Sequence, residues 1–184
     1  MRALSLVMIC LLAGCAAGLQ LPSPSRDFPD DVSFAGDWKR SEFREQDEME
    51  PDRLNLPSTR EPTPSVSNTR ARPGRKVRSF LEFGRELRIT QLDTAILISF
   101  DRALVREYRF GEHRMTNVGP IVAERTTGFR GKVLEIVTQD DDGAVMTESW
   151  RLQRSDRQLE RSVVIVKGNK QLYRLRETYR REAS

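Results

Sequence analysis

From Glu86 onward the chain repeats one pattern: short runs rich in Val, Ile, Thr and aromatic residues, alternating in polarity, without proline inside any run. Eight such runs occupy 86–91, 95–100, 104–110, 121–127, 132–139, 144–153, 158–166 and 171–180. Turn residues separate most of them: Leu92-Asp93-Thr94, Asp101-Arg102, Asp142-Gly143, Ser155-Asp156 and Gly168-Asn169. A period of two places alternate side chains on opposite faces of a strand. Val163-Val164-Ile165-Val166 crowds β-branched side chains that a helix accommodates poorly. Short strands spaced roughly 8–12 residues apart predict an all-β domain, an antiparallel meander of about eight strands. Closing that sheet into a barrel removes its exposed edges.

The N-terminus has a different character. One arginine precedes an apolar run from Leu4 to Leu12, broken only by Ser5 and shorter than the ~20 residues a spanning helix requires. It ends in Leu12-Ala13-Gly14-Cys15, which resembles the lipobox of bacterial lipoproteins. The resemblance implies a signal peptide at 1–14 and an acylated Cys15 held in a membrane; an ordinary secretory site after Ala17 is the alternative. With Cys10 removed, Cys15 is the only mature cysteine of the two in the chain, so no internal disulfide is expected. Ala16 in the next position implies, by the same resemblance, the outer membrane facing the periplasm if the host is Gram-negative. Residues 15–33 read as a lipid-anchored tether and 34–56 as a segment packing on the barrel. Within the latter, acid-rich 41–52 is expected to hold a turn or two of helix. Four prolines mark 57–76 as a mobile loop, and 77–184 as the barrel domain proper.

Gly36-Asp37-Trp38, at the entrance to this meander, resembles the Gly-x-Trp signature of lipocalin-like (calycin) barrels. The family pattern implies a tryptophan plugging the closed end under an arginine from a late strand. Arg174, Arg176 and Arg180 are the candidates. Residues 124–138 also resemble a middle hairpin of small bacterial lipocalin-like proteins, with Phe129 in a usual tryptophan position and Gly131 in the turn.

Candidate chemistry is sparse. The 31 basic and 27 acidic residues nearly cancel, giving no case for a nucleic acid partner. The single histidine, His113, falls in a predicted polar loop, no nucleophile elbow exists, and an enzyme is not expected. Asp140-Asp141-Asp142-Gly143 reads as a hairpin turn rather than a calcium loop. No metal site or cofactor is expected.

The informative signal is charge on apolar strand faces. One face of 144–153 carries Met146, Glu148, Trp150 and Leu152; the matching face of 158–166 carries Leu159, Arg161, Val163 and Ile165. Pairing Gln153 with Gln158 puts Trp150 opposite Arg161, with Glu148 diagonal to it. For the last strand, a two-residue turn at Gly168-Asn169 directs Leu172, Arg174 and Arg176 inward. A three-residue turn directs Tyr173, Leu175, Glu177 and Tyr179 inward and is preferred, because it buries the tyrosines and offers Glu177 to Arg161. A charge inside a barrel must pair or face water. Two readings follow. Glu148, Arg161 and Glu177 form a structural ion cluster, or Arg161 anchors a small amphipathic anion in a cup walled by Trp150, Tyr173 and Tyr179. The expected function is a lipid-anchored envelope protein whose lipocalin-like barrel binds such a ligand. The alternative is an assembly lipoprotein that docks another envelope protein.

Overall fold

The computed structural model describes residue 29 and residues 31–47, 74–153 and 156–182; the lipobox and most of the proline-rich segment lie outside them. Among these described residues ten strands form one antiparallel sheet: β1 (Gly36–Asp47), β2 (Glu86–Gln91), β3 (Ala95–Phe100), β4 (Leu104–Arg109), β5 (His113–Val118), β6 (Ile121–Arg130), β7 (Val133–Asp140), β8 (Ala144–Gln153), β9 (Gln158–Lys167) and β10 (Lys170–Arg181). One short helix, α1 (Arg75–Arg78), lies between β1 and β2. The spatial order is β4-β3-β2-β1-β10-β9-β8-β7-β6-β5, so β1 joins the end of the meander back to its beginning. The sheet curls round a shared core. Its end strands β4 and β5 follow each other in sequence but form no ladder, leaving a seam.

The eight expected strands are present, but the count is ten, because β1 and β5 were not legible. β1 replaces the expected helical turns through Asp47, and it is a wall strand hydrogen-bonded to both β2 and β10. Residues 41–46 are all exposed, and a bulge between Arg40 and Glu42 shifts the register. Alternation is lost there, and with it the signal for a strand. β5 is an edge strand whose residues are exposed or only half-buried. His113 opens this strand instead of sitting in a loop.

The closed end is built around Trp38, which is fully buried and donates from Nε1 to the Phe34 carbonyl at 2.9 Å. The covering arginine is Arg181, not Arg174, Arg176 or Arg180. Its guanidinium lies 4.3 Å from the Trp38 ring centroid and donates to the Asp156 and Ser33 carbonyls, both at 3.0 Å. β10 extends one residue past the expected strand, and that residue pairs with Trp38. Gly36 is required by both its backbone and its neighbour: φ is +137°, and a Cβ there would sit 2.9 Å from Arg181 Nη1. Phe129 packs edge-on against Phe110 in the same cluster, with ring centroids 5.2 Å apart, and Gly131 turns the chain at φ +57°. At the 140–143 turn, buried Asp140 accepts from the amides of Val77, Asp142 and Ala144 at 2.9–3.1 Å. One carboxylate thereby shapes the hairpin and pins α1 to the barrel.

Two apolar clusters divide the interior. One, at the Trp38 end, includes Phe100, Leu134, Trp150, Leu159 and Tyr179. The other includes Val77, Phe80, Met146, Val163, Ile165 and Leu175. Along β8, β9 and β10 the boundary between them falls at Glu148, Arg161 and Glu177, all fully buried.

Candidate functional site: the polar layer and the seam

Pairing places these side chains as the strand faces require. Gln153 meets Gln158, Trp150 meets Arg161, and Glu177 lies opposite Arg161 from the other side. The β9–β10 turn resolves the two alternatives in an unexpected way. Lys167 pairs with Lys170 around a two-residue Gly168-Asn169 turn, and a bulge between Gln171 and Tyr173 then reverses the faces. Tyr173, Leu175, Glu177 and Tyr179 therefore point inward while Leu172 is also buried. Without the bulge Arg174 and Arg176 would enter an apolar interior, which is far more costly than one irregular ladder position.

Arg161 donates four hydrogen bonds within the protein. Nε and Nη2 reach Glu148 Oε2 at 3.0 and 2.5 Å; Nη1 reaches Glu177 Oε2 at 2.9 Å and the Glu82 carbonyl at 2.7 Å. Arg40 Nη1 holds the other Glu177 oxygen at 2.9 Å. Two cations and two carboxylates thus form a neutral chain. Burial lowers the pKa of Arg161, but Glu148 and Glu177 more than offset this and leave it raised. Its guanidinium also lies 4.9 Å from the Trp150 ring centroid. Tyr179 donates to the Gly84 carbonyl at 3.1 Å, and the Arg78 guanidinium stacks 4.2 Å from the Tyr173 ring centroid. The six residues singled out in the sequence do share the interior, but its chemistry is closed on itself. Among the described residues Glu148 Oε1, Trp150 Nε1 and the Tyr173 hydroxyl are the exceptions, buried polar atoms without a partner.

A different place offers open polar groups. At the seam a cleft of about 230 Å³ is lined from β4, β5 and β6, with Arg106, Tyr108, Arg114, Arg125 and Thr127 among its walls. Tyr108 is buried, and burial foremost, with Glu148 adding, pushes its hydroxyl pKa up. Sequence reasoning missed Arg125. The signal was present in β6, where Ala123, Arg125, Thr127 and Phe129 share one face, but only the β8–β10 faces were followed. Arg40 was missed because β1 was. His113 lies on the exposed outer side, its Nε2 3.2 Å from Glu124 Oε2. Among the described residues no cluster of His, Cys, Asp or Glu is arranged to hold a metal ion, and no helix is long and apolar enough to cross a membrane.

The strand order and the unpaired seam between the fourth and fifth strands give a curled antiparallel sheet whose fold is like that of fatty-acid-binding-type β-barrels. Fatty-acid-binding protein 1 of Echinococcus granulosus superposes with a TM-score of 0.50 at 14% identity, over 82% of this chain and 98% of that one. An SAHS abundant heat-soluble protein of Ramazzottius varieornatus gives 0.49 at 11% identity, over 81% and 95%. No family model matches the sequence, and no curated protein matches it.

Proposed function

We propose that this is a lipid-anchored envelope protein whose barrel is a non-catalytic binding module for a small amphipathic anion. The observation that carries the reading is the seam. The sheet stops one pairing short of closure, and the gap is a cleft of about 230 Å³ with cationic and aromatic walls. The likeness to a fatty-acid-binding protein is one of fold, and it supports the choice of ligand class.

The anchor rests on Leu12-Ala13-Gly14-Cys15. Acyl chains on Cys15 contribute roughly 0.8 kcal/mol per buried methylene, ample for stable attachment when several are present. Ala16 supports an outer-membrane address facing the periplasm in a Gram-negative host. Cys15→Ser is expected to move the protein to the soluble envelope fraction; membrane attachment unchanged by the substitution refutes lipidation.

A second reading, a lipoprotein that docks another envelope protein, is favoured by one feature. Met115 and Val122 are 66% and 46% exposed beside an open groove of about 600 Å³ that also includes Pro120 and Ile121. Native mass spectrometry of the purified protein separates the two. A co-purified small molecule supports the binding module, and a stoichiometric protein partner supports docking.

A further inference from the structure

The seam carries four arginines, Arg106, Arg109, Arg114 and Arg125, against the carboxylates of Glu107 and Glu112. Three of the arginines are balanced. Arg106 Nε donates to Glu82 at 2.9 Å; Arg109 Nε donates to Glu107 at 2.9 Å; Arg114 Nε lies 3.6 Å from Glu112. Arg125 differs. It is half-buried, its Nε donates to the neutral Thr138 hydroxyl at 3.1 Å, and no carboxylate among the described residues pairs with it. Its guanidinium stands 5.4 Å from the Tyr108 ring centroid and 5.7 Å from that of Phe80, held by aromatic faces. In the β5–β6 ladder it is directly opposite Arg114. Like charges facing each other across a ladder are unfavourable, and a half-buried cation without an acid is more so. The arrangement is complete only with a negative charge between them.

We propose that the seam is an anion site centred on Arg125, with Arg114 as the second contact, and that it takes the carboxylate or phosphate head of a single-chain amphiphile. This rests on the binding-module reading and moves its anchor away from Arg161, four of whose five donors are used inside the barrel. A cleft of about 230 Å³ accommodates a head group and a few carbons rather than a whole chain. The apolar tail is accounted for by the rim, where Val105 and Met115 are 58% and 66% exposed on the two strands that flank the seam.

The test is calorimetric titration of the full chain carrying Cys15→Ser with dodecanoate, and separately with inorganic phosphate. Dodecanoate is expected to bind at one equivalent. Arg125→Gln removes a charge-assisted contact and should weaken it about tenfold or more. Glu112→Gln, which releases Arg114, should tighten binding. Arg151→Gln, on an exposed residue of β8, removes the same charge elsewhere and should leave affinity within about twofold, a shift of ~0.4 kcal/mol. One-to-one binding that Arg125→Gln leaves unchanged overturns the seam site while the binding module stands. No uptake of dodecanoate or phosphate by the parent chain overturns both. Phosphate binding as tightly as dodecanoate overturns the amphiphile assignment and makes the ligand a free small anion.

Discussion

Replacing Arg161 with leucine tests whether the buried layer is structural. The substitution deletes all four of its hydrogen bonds, yet the consequences fall unequally on the partners. Glu177 keeps Arg40 at 2.9 Å. Glu148 loses everything, because both bonds it accepted came from Arg161 and its other oxygen already had no partner. A fully buried carboxylate without a cation costs about 3–5 kcal/mol, a large share of the 5–15 kcal/mol by which a domain is usually stable. Urea denaturation measures the size of the loss. The double variant Arg161→Leu/Glu148→Leu should recover about 2 kcal/mol or more of the single variant's loss, since it removes the stranded charge along with its partner. A loss below about 1 kcal/mol refutes the reasoning.

Other outcomes follow from the same structure. Gly36→Ala must place a Cβ against Arg181 at a φ that L residues rarely adopt, costing about 1–3 kcal/mol; the drop in melting temperature should be accompanied by a change in tryptophan fluorescence. Arg181→Met should reproduce the fluorescence change without the backbone strain, and an unaltered spectrum would separate Arg181 from Trp38. Burial raises the hydroxyl pKa values of Tyr108 and Tyr179, with Glu148 and Glu177 respectively adding to it. Above about pH 10 the unfolded chain loses these protons while the native state keeps them. Stability should therefore be whole below that pH and fall as pH rises past it, by up to about 1.4 kcal/mol per pH unit for each tyrosine. A flat alkaline limb in thermal melts would show that these hydroxyls are solvated.

The sheet was legible wherever one face of a strand is buried and the other wet, because burial then writes a period of two into the residues. β2 falls on its expected bounds for this reason, and β3 and β8 on theirs as well. β1 escaped because six consecutive residues are exposed and a bulge breaks its alternation; β5 escaped because an edge strand beside a seam has no fully buried face. The meeting of Arg161 with Trp150, Glu148 and Glu177 was also readable, since pairing register and the cost of buried charge both point there. Whether that arginine is free was not readable. Its saturation depends on the Glu82 carbonyl, delivered by a segment 79 residues earlier in the chain.

Local patterning alone therefore set the class of fold and the inward face of the late strands, since each depends on side chains within one or two neighbouring strands; the Gly-x-Trp plug was legible only as a resemblance. Tertiary closure decided which arginine caps Trp38, that a bulge rather than a longer turn reverses β10, and that Arg125 stands opposite Arg114 with no acid among the described residues paired to it. These are relations between strands brought together by the curl of the sheet. Alternation within one strand carries no record of what the curl will set beside it.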